Sequence, residues 1–228
     1  MIHEAEQLRN PNNIHNPDPR TINLAVVDAI NKLPRTITIQ DQYDCISYFI
    51  LNLTVPEDIA THFETAKNLY LYAWHVYRFY PVAEQQAFAT LEYALRLRLP
   101  EYVDQFMKEN RGREPTLRSL IKHAKEIDIL KNNLFASKYR WATQIAKDRF
   151  SSQIHAKMIL EGLTEIEYDD SHVTPTEEDL NHDWLNSFIE VIPSLRNDLA
   201  HGSSTLRHSV VHTFDVVSSM INQLYTKP

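Results

Sequence analysis

The chain has 228 residues, 43% of them apolar, with 23 Lys and Arg against 30 Asp and Glu for a net charge of −7, three glycines and one cysteine. That length can bury a core without covalent staples, and Cys45, the single cysteine, excludes an intrachain disulfide framework or a multi-cysteine zinc site and points to a reducing cytoplasm. A GxGxxG or GxxxxGK[ST] phosphate cradle needs two glycines within about six residues, which Gly112, Gly162 and Gly202 cannot supply, so the usual ATP, GTP and dinucleotide enzymes are excluded.

Residues 1–35 are rich in Asn and Pro, with Pro11, Pro17, Pro19 and Pro34 around one short apolar piece at 22–33. They read as an irregular arm carrying one short helix. No basic stretch followed by an apolar run opens the chain, and no stretch approaches the roughly 18 apolar residues that span a bilayer, so neither a leader nor a membrane span is expected. Residues 36–40 (TITIQ) alternate like a strand but have no evident second strand, and read as a linker. Residues 44–53 are compactly apolar and begin the core, which divides the chain into an arm and short helix at 1–53 and a helical domain at 54–228.

Thr54, followed by Pro56, Glu57 and Asp58, has the form of a helix N-terminus, and an apolar run continues to Tyr80. Pro81 starts the next helix, over about 82–108, where Phe88, Leu91, Leu95 and Leu99 keep core-facing spacing and Pro100 introduces a kink or a split. The basic turn Arg111-Gly112-Arg113-Glu114-Pro115 closes it. Leu117, Leu120, Ile121, Ala124, Ile127 and Ile129/Leu130 outline a third long helix, and residues 137–160 a fourth. After an acidic loop at 162–173, Thr174 and Glu177 read as a capping box with Pro175 at the first helical position. A helix through Trp184, Phe188 and Ile192 is reset by Pro193, Gly202 ends it, and residues 203–205 cap a last helix over about 206–225. The predicted fold is all-α, a bundle of six or seven helices with an irregular N-terminal arm.

Charge is unevenly placed: residues 96–149 carry 13 Lys and Arg against 7 acids, whereas 158–198 carry one Arg against 11 acids. One reading is of solvated helix faces; the other is of a basic middle that tracks a phosphate backbone through Arg111, Arg113 and Arg118, with an acidic flank that limits indiscriminate binding.

The densest chemistry lies in the segment SLRNDLAHG at 194–202. Asn197 and His201 are four apart and share a helix face, while Arg196 enters from about 140° around an ideal helix. A permanent guanidinium can clamp a phosphate and an imidazole near neutrality can move a proton, which together suit phosphodiester cleavage. Capping and salt-bridging explain the same residue types. Glu92 lies on the face of Phe88, Leu91 and Leu95, where an unpaired carboxylate is costly and a cation is required. Arg96 is the local partner and Arg196 the functional one. His208 and His212 are four apart, but no HExxH or acidic ligand accompanies them, so no metal or other cofactor is expected and His208 is kept as a catalytic helper. The aromatic run Tyr70, Tyr72, Trp74, Tyr77, Phe79 and Tyr80 and the thiol of Cys45 read as core.

The string LRNDLAHG resembles the signature of the HEPN superfamily of small all-α domains: an Arg, a polar residue directly after it, and a His closing the motif, here Arg196, Asn197 and His201. TLEYALR at 90–96 is similar to a helix of some HEPN-like proteins. The resemblance covers about 82–225 and does not extend to residues 1–80. It implies a metal-independent endoribonuclease, of the kind found among toxins and antiviral effectors, in which His201 transfers protons, Arg196 stabilises phosphorane charge and Asn197 orients them; the spacing of Glu92, Arg96 and His208 adds these as supporting groups. It also implies a homodimer with a composite active site, an RNA substrate, and an antitoxin or defence-system component as partner. Other HEPN proteins only bind partners, and the acidic pI of about 5.9 favours that alternative; a helical interaction protein outside the family is the third reading.

Overall fold

The computed structural model describes residues 4–28, 30–200 and 210–226. Strands β1 (Ala25–Val27) and β2 (Pro34–Thr36) form an antiparallel hairpin in which Val26 faces Arg35. This differs from both expectations: the apolar piece holds a strand at 25–27, preceded by a short 3-10 turn at Thr21–Asn23, and of the alternating segment 36–40 only Thr36 enters the sheet, residues 39–40 already belonging to the next helix. The cause is local. The Asp28 carboxylate accepts from the N–H groups of Ile30 and Asn31, at 2.9 and 3.1 Å, giving that backbone a turn in place of helical bonds, and Lys32 follows with a φ of +60°.

Helix α1 (Ile39–Ser47) starts from a capping box between Thr38 and Asp41. Cys45 is exposed on it, which corrects its reading as a core residue. Helices α2 (Glu57–Tyr72) and α3 (Phe79–Arg98) pack on each other, and α3 also meets α8 and α9, so it is the centre of the bundle. Pro100 splits the expected long helix: α3 stops at Arg98, and α4 (Pro100–Glu109) restarts with the proline in its first turn, where a missing N–H costs nothing. Helix α5 (Leu117–Glu126) ends earlier than expected because Asp128 turns the chain at φ +59°.

Helix α6 (Lys138–Glu161) is the longest, yet its only buried residues are Trp141, Ala142 and Ala146. Its far end, with exposed Ile159 and Leu160, extends beyond the core. In the short α7 (Glu177–Leu180) the capping box is Thr176 with Asp179, not Thr174 with Glu177. Helix α8 (Trp184–Ala200) runs through Pro193 instead of being reset there, so the Ile189 carbonyl forgoes a helical donor. Helix α9 (Val211–Leu224) is buried nearly all round, and its Phe214 ring sits 5.8–6.5 Å from those of Phe49, Phe63 and Tyr70.

The described residues thus hold nine α-helices rather than six or seven, the excess coming from the split at Pro100 and from the short α1 and α7. The expected helix end at Gly202 and the start of the last helix near 206 lie outside the described residues. Among those described, no helix is long and apolar enough to cross a membrane. The arm is tied down. Asp18, fully buried, accepts from the Tyr77 N–H at 3.1 Å and from Arg20, and Arg9 donates to the His75 carbonyl at 2.7 Å.

Candidate functional site

Helix α3 brings Glu92 to the end of α8 that carries Arg196. The carboxylate is shared: Oε1 accepts from Arg96 at 2.8 Å and Oε2 from Arg196 at 3.2 Å. Both partners inferred for Glu92 are therefore present together. Arg96 is itself held from the other side, by the Glu114 carboxylate at 2.9 Å and the Pro115 carbonyl at 3.0 Å. The resulting chain, Glu114–Arg96–Glu92–Arg196, has two charges of each sign. It orients one guanidinium edge of Arg196 towards protein, while the Arg196 side chain keeps 43% of its surface exposed. A guanidinium anchored on one side and open on the other can receive a phosphate without first losing a full set of partners.

The helical backbone of α8 passes through Asn197, but the Asn197 side chain, His201 and His208 lie outside the described residues. His212, on α9, packs edge-on against Trp141 at 5.5 Å. Burial holds its imidazole below the ordinary histidine value; Asp215 opposes that and Arg140 adds to it.

Two buried carboxylates escaped sequence reasoning. Asp215 accepts from Ser137 Oγ at 2.8 Å, Arg140 at 2.6 Å and Trp141 Nε1 at 2.8 Å, which fixes the start of α6 against α9. Glu84, two helical turns before Glu92 on α3, accepts from Thr213 Oγ1 at 2.6 Å. An acid at a core-spaced position of α3 was the available signal for Glu84; Asp215 had none, because its donors are more than 70 residues away.

The uneven charge resolves into contact. Arg118 pairs with Glu190, Lys125 with Asp183 at 2.7 Å, Lys147 with Asp170 at 3.2 Å and Arg149 with Asp179. Four cations of the basic middle are thus paired with four acids of the acidic flank. Asp183 also caps α8: burial pushes its carboxyl up, but Lys125, Asn132 and the Asn186 N–H pull it down to about 2. Of the three arginines expected to meet RNA, Arg118 is thus engaged within the chain, whereas Arg111 and Arg113 stand exposed on the α4–α5 turn. The aromatic run is core in part: Tyr70, Tyr77 and Tyr80 are buried and interlock at 5.1–5.3 Å, while Tyr72 is exposed.

No protein-family model matches the chain, and neither a curated protein nor a solved structure matches it.

Proposed function

We propose that this chain is a HEPN-type, metal-independent endoribonuclease that works as a homodimer. The observation that supports this most is the Glu92 carboxylate set between Arg96 and Arg196, which leaves the Arg196 guanidinium anchored and half open at the end of α8. In this mechanism His201 of one chain takes the proton from an RNA 2′-hydroxyl, and that oxygen attacks the adjacent phosphorus. Arg196 holds the charge that develops on the phosphorane oxygens. The bond from phosphorus to the 5′-oxygen breaks, and the partner subunit's His201 gives that oxygen a proton, leaving a 2′,3′-cyclic phosphate and a 5′-hydroxyl. Each motif brings one histidine to two proton transfers, so a two-fold axis that joins two motifs supplies both. A cytoplasmic toxin or antiviral effector restrained by a partner protein is the setting this chemistry fits.

The test is cleavage of single-stranded RNA by the purified chain in EDTA, with the cyclic phosphate as product and no cutting where deoxyribose stands at the site. His201→Ala is expected to lose at least ~100-fold while the circular-dichroism signal for helix survives. Absence of RNA cleavage under every condition tried, or equal cleavage of DNA, overturns this reading. The rival then gains: a HEPN-like module that binds a protein partner without catalysis, favoured by the pairing of Arg118, Lys125, Lys147 and Arg149 with acids of the same chain.

A further inference from the structure

Arg96 joins two parts of the molecule that the sequence keeps apart. One of its nitrogens reaches the Glu92 carboxylate that holds Arg196, and the same side chain reaches Glu114 and the Pro115 carbonyl at the far side of the α4–α5 turn. The turn therefore lies at the same end of the bundle as Arg196, one ion-paired side chain away. Its backbone is fixed: the Gly112 N–H donates to the Met107 carbonyl at 2.8 Å, the Arg113 N–H to the Asn110 carbonyl at 3.1 Å, and Pro115 is buried. Arg111 and Gly112 both take left-handed φ, +56° and +79°, a shape that an unpinned chain rarely holds with an arginine. From this pinned turn Arg111 and Arg113 project into solvent without an ion pair among the described residues. The other cations of the basic middle that face the acidic flank are already taken. At up to about 3.6 Å per residue, Arg111 is no more than about 11 Å along the chain from Glu114.

We propose that the α4–α5 turn is a flanking subsite for single-stranded RNA, in which Arg111 and Arg113 hold phosphates beside the scissile one and Arg96 ties that turn to Arg196 through Glu92. The inference rests on the ribonuclease reading and narrows it: phosphate contact belongs to Arg111 and Arg113, not to Arg118. Arg96 is a positioning residue. It keeps the subsite and the Arg196 guanidinium in one frame, so that binding along the flank sets the scissile phosphate in register.

The full-length His201→Ala chain separates binding from cleavage. Titrated with a fluorescein-labelled single-stranded RNA at several salt concentrations, it should give a linear fall of log affinity with log salt. Adding Arg111→Gln and Arg113→Gln should weaken binding and reduce that slope by about 1.4, or about 0.7 for each lost phosphate contact. In the active chain, Arg96→Gln should lower kcat ~10-fold or more with little change in KM, and Arg96→Lys should restore much of it because an ammonium still faces Glu92. An unchanged slope in the double variant, or the same loss from Arg118→Gln alone, overturns the subsite while wild-type cleavage leaves the ribonuclease reading standing. An Arg96→Gln defect that appears in KM or in the helical signal and is not rescued by lysine overturns the tie. A chain that binds no RNA at all overturns both the subsite and the ribonuclease reading.

Discussion

At Asp18 and at Glu92 a carboxylate meets arginines, and the two places differ in how completely everyone is satisfied. Asp18 has no exposed side-chain surface; it accepts from Arg20 Nε at 2.9 Å, the Arg20 N–H at 3.0 Å and the Tyr77 N–H at 3.1 Å. Arg20 spends its remaining nitrogen on Glu6 at 2.6 Å and lies over the Tyr77 ring at 4.9 Å. Arg9 is likewise held on the protein, donating to the carbonyls of Asn13, Asn16 and His75. Glu92, by contrast, is the one polar partner of Arg196 among the described residues, and that arginine is nearly half exposed. Among the described residues, identical residue types thus make a tie in one place and leave an arginine with a single side-chain partner in the other. What separates a structural ion pair from a candidate site is residual hydrogen-bonding capacity aimed at solvent, not the presence of the pair.

Removing the tie should have the largest effect. Asp18→Ala leaves Arg20 and the Tyr77 N–H without their buried acceptor and should cost about 3 kcal/mol in urea unfolding, with cleavage per folded chain unchanged. The same carboxyl has a signature in acid. Burial pushes its pKa up, and the hydrogen bonds from Arg20 and Tyr77 more than reverse that, so it sits below the ordinary 3.8. A group lowered in the folded state contributes stability above its unfolded value, which is lost as pH falls through the folded one. Stability of the native chain should therefore drop below about pH 4, and Asp18→Ala should drop less steeply there.

At the open end the expectation is reversed. Arg196→Lys should leave the urea midpoint nearly unchanged and reduce cleavage ~100-fold, about 2.7 kcal/mol of barrier, since an ammonium cannot reproduce the planar fork. A large loss of stability from this change would place Arg196 with Arg20 as a tie and remove the distinction.

The smallest effect belongs to the exposed pairs between the basic middle and the acidic flank. Arg118 and Glu190 keep more than half of their side-chain surfaces. A double-mutant cycle between them should return about 0.5 kcal/mol, vanishing in 1 M salt. A coupling of several kcal/mol would mean that these contacts hold α5 to α8 as Asp18 holds the arm.

Helices were legible because their signal is local: the 3–4 spacing of Phe88, Leu91 and Leu95 is a property of a few neighbouring residues. The hairpin was not, because a strand is defined by its partner, and the partner lay inside an apolar piece that the Asp28 side chain folds into a turn. The same limit hid the arm's anchorage, where Asp18 and Arg9 reach residues 59 and 66 positions away. At the candidate site, Glu92 was found by asking what a carboxylate was doing on an apolar face, and both proposed cations are there. The pairing of Arg118 was not legible for the opposite reason: nothing within its own helix announces an acid 72 residues on.

The long overhang of α6 has a consequence for amide exchange. Its buried residues end at Ala146, and the contacts to the acidic loop and α7 come from Lys147, Arg149 and Phe150. The last three turns have little packing to hold them beyond their own hydrogen bonds, and an isolated helix of that length is marginal in water. Their opening is therefore a local event whose free energy owes little to the core, so protons on residues 151–161 trade with solvent while those of α3 and α9 wait for the whole bundle to unfold.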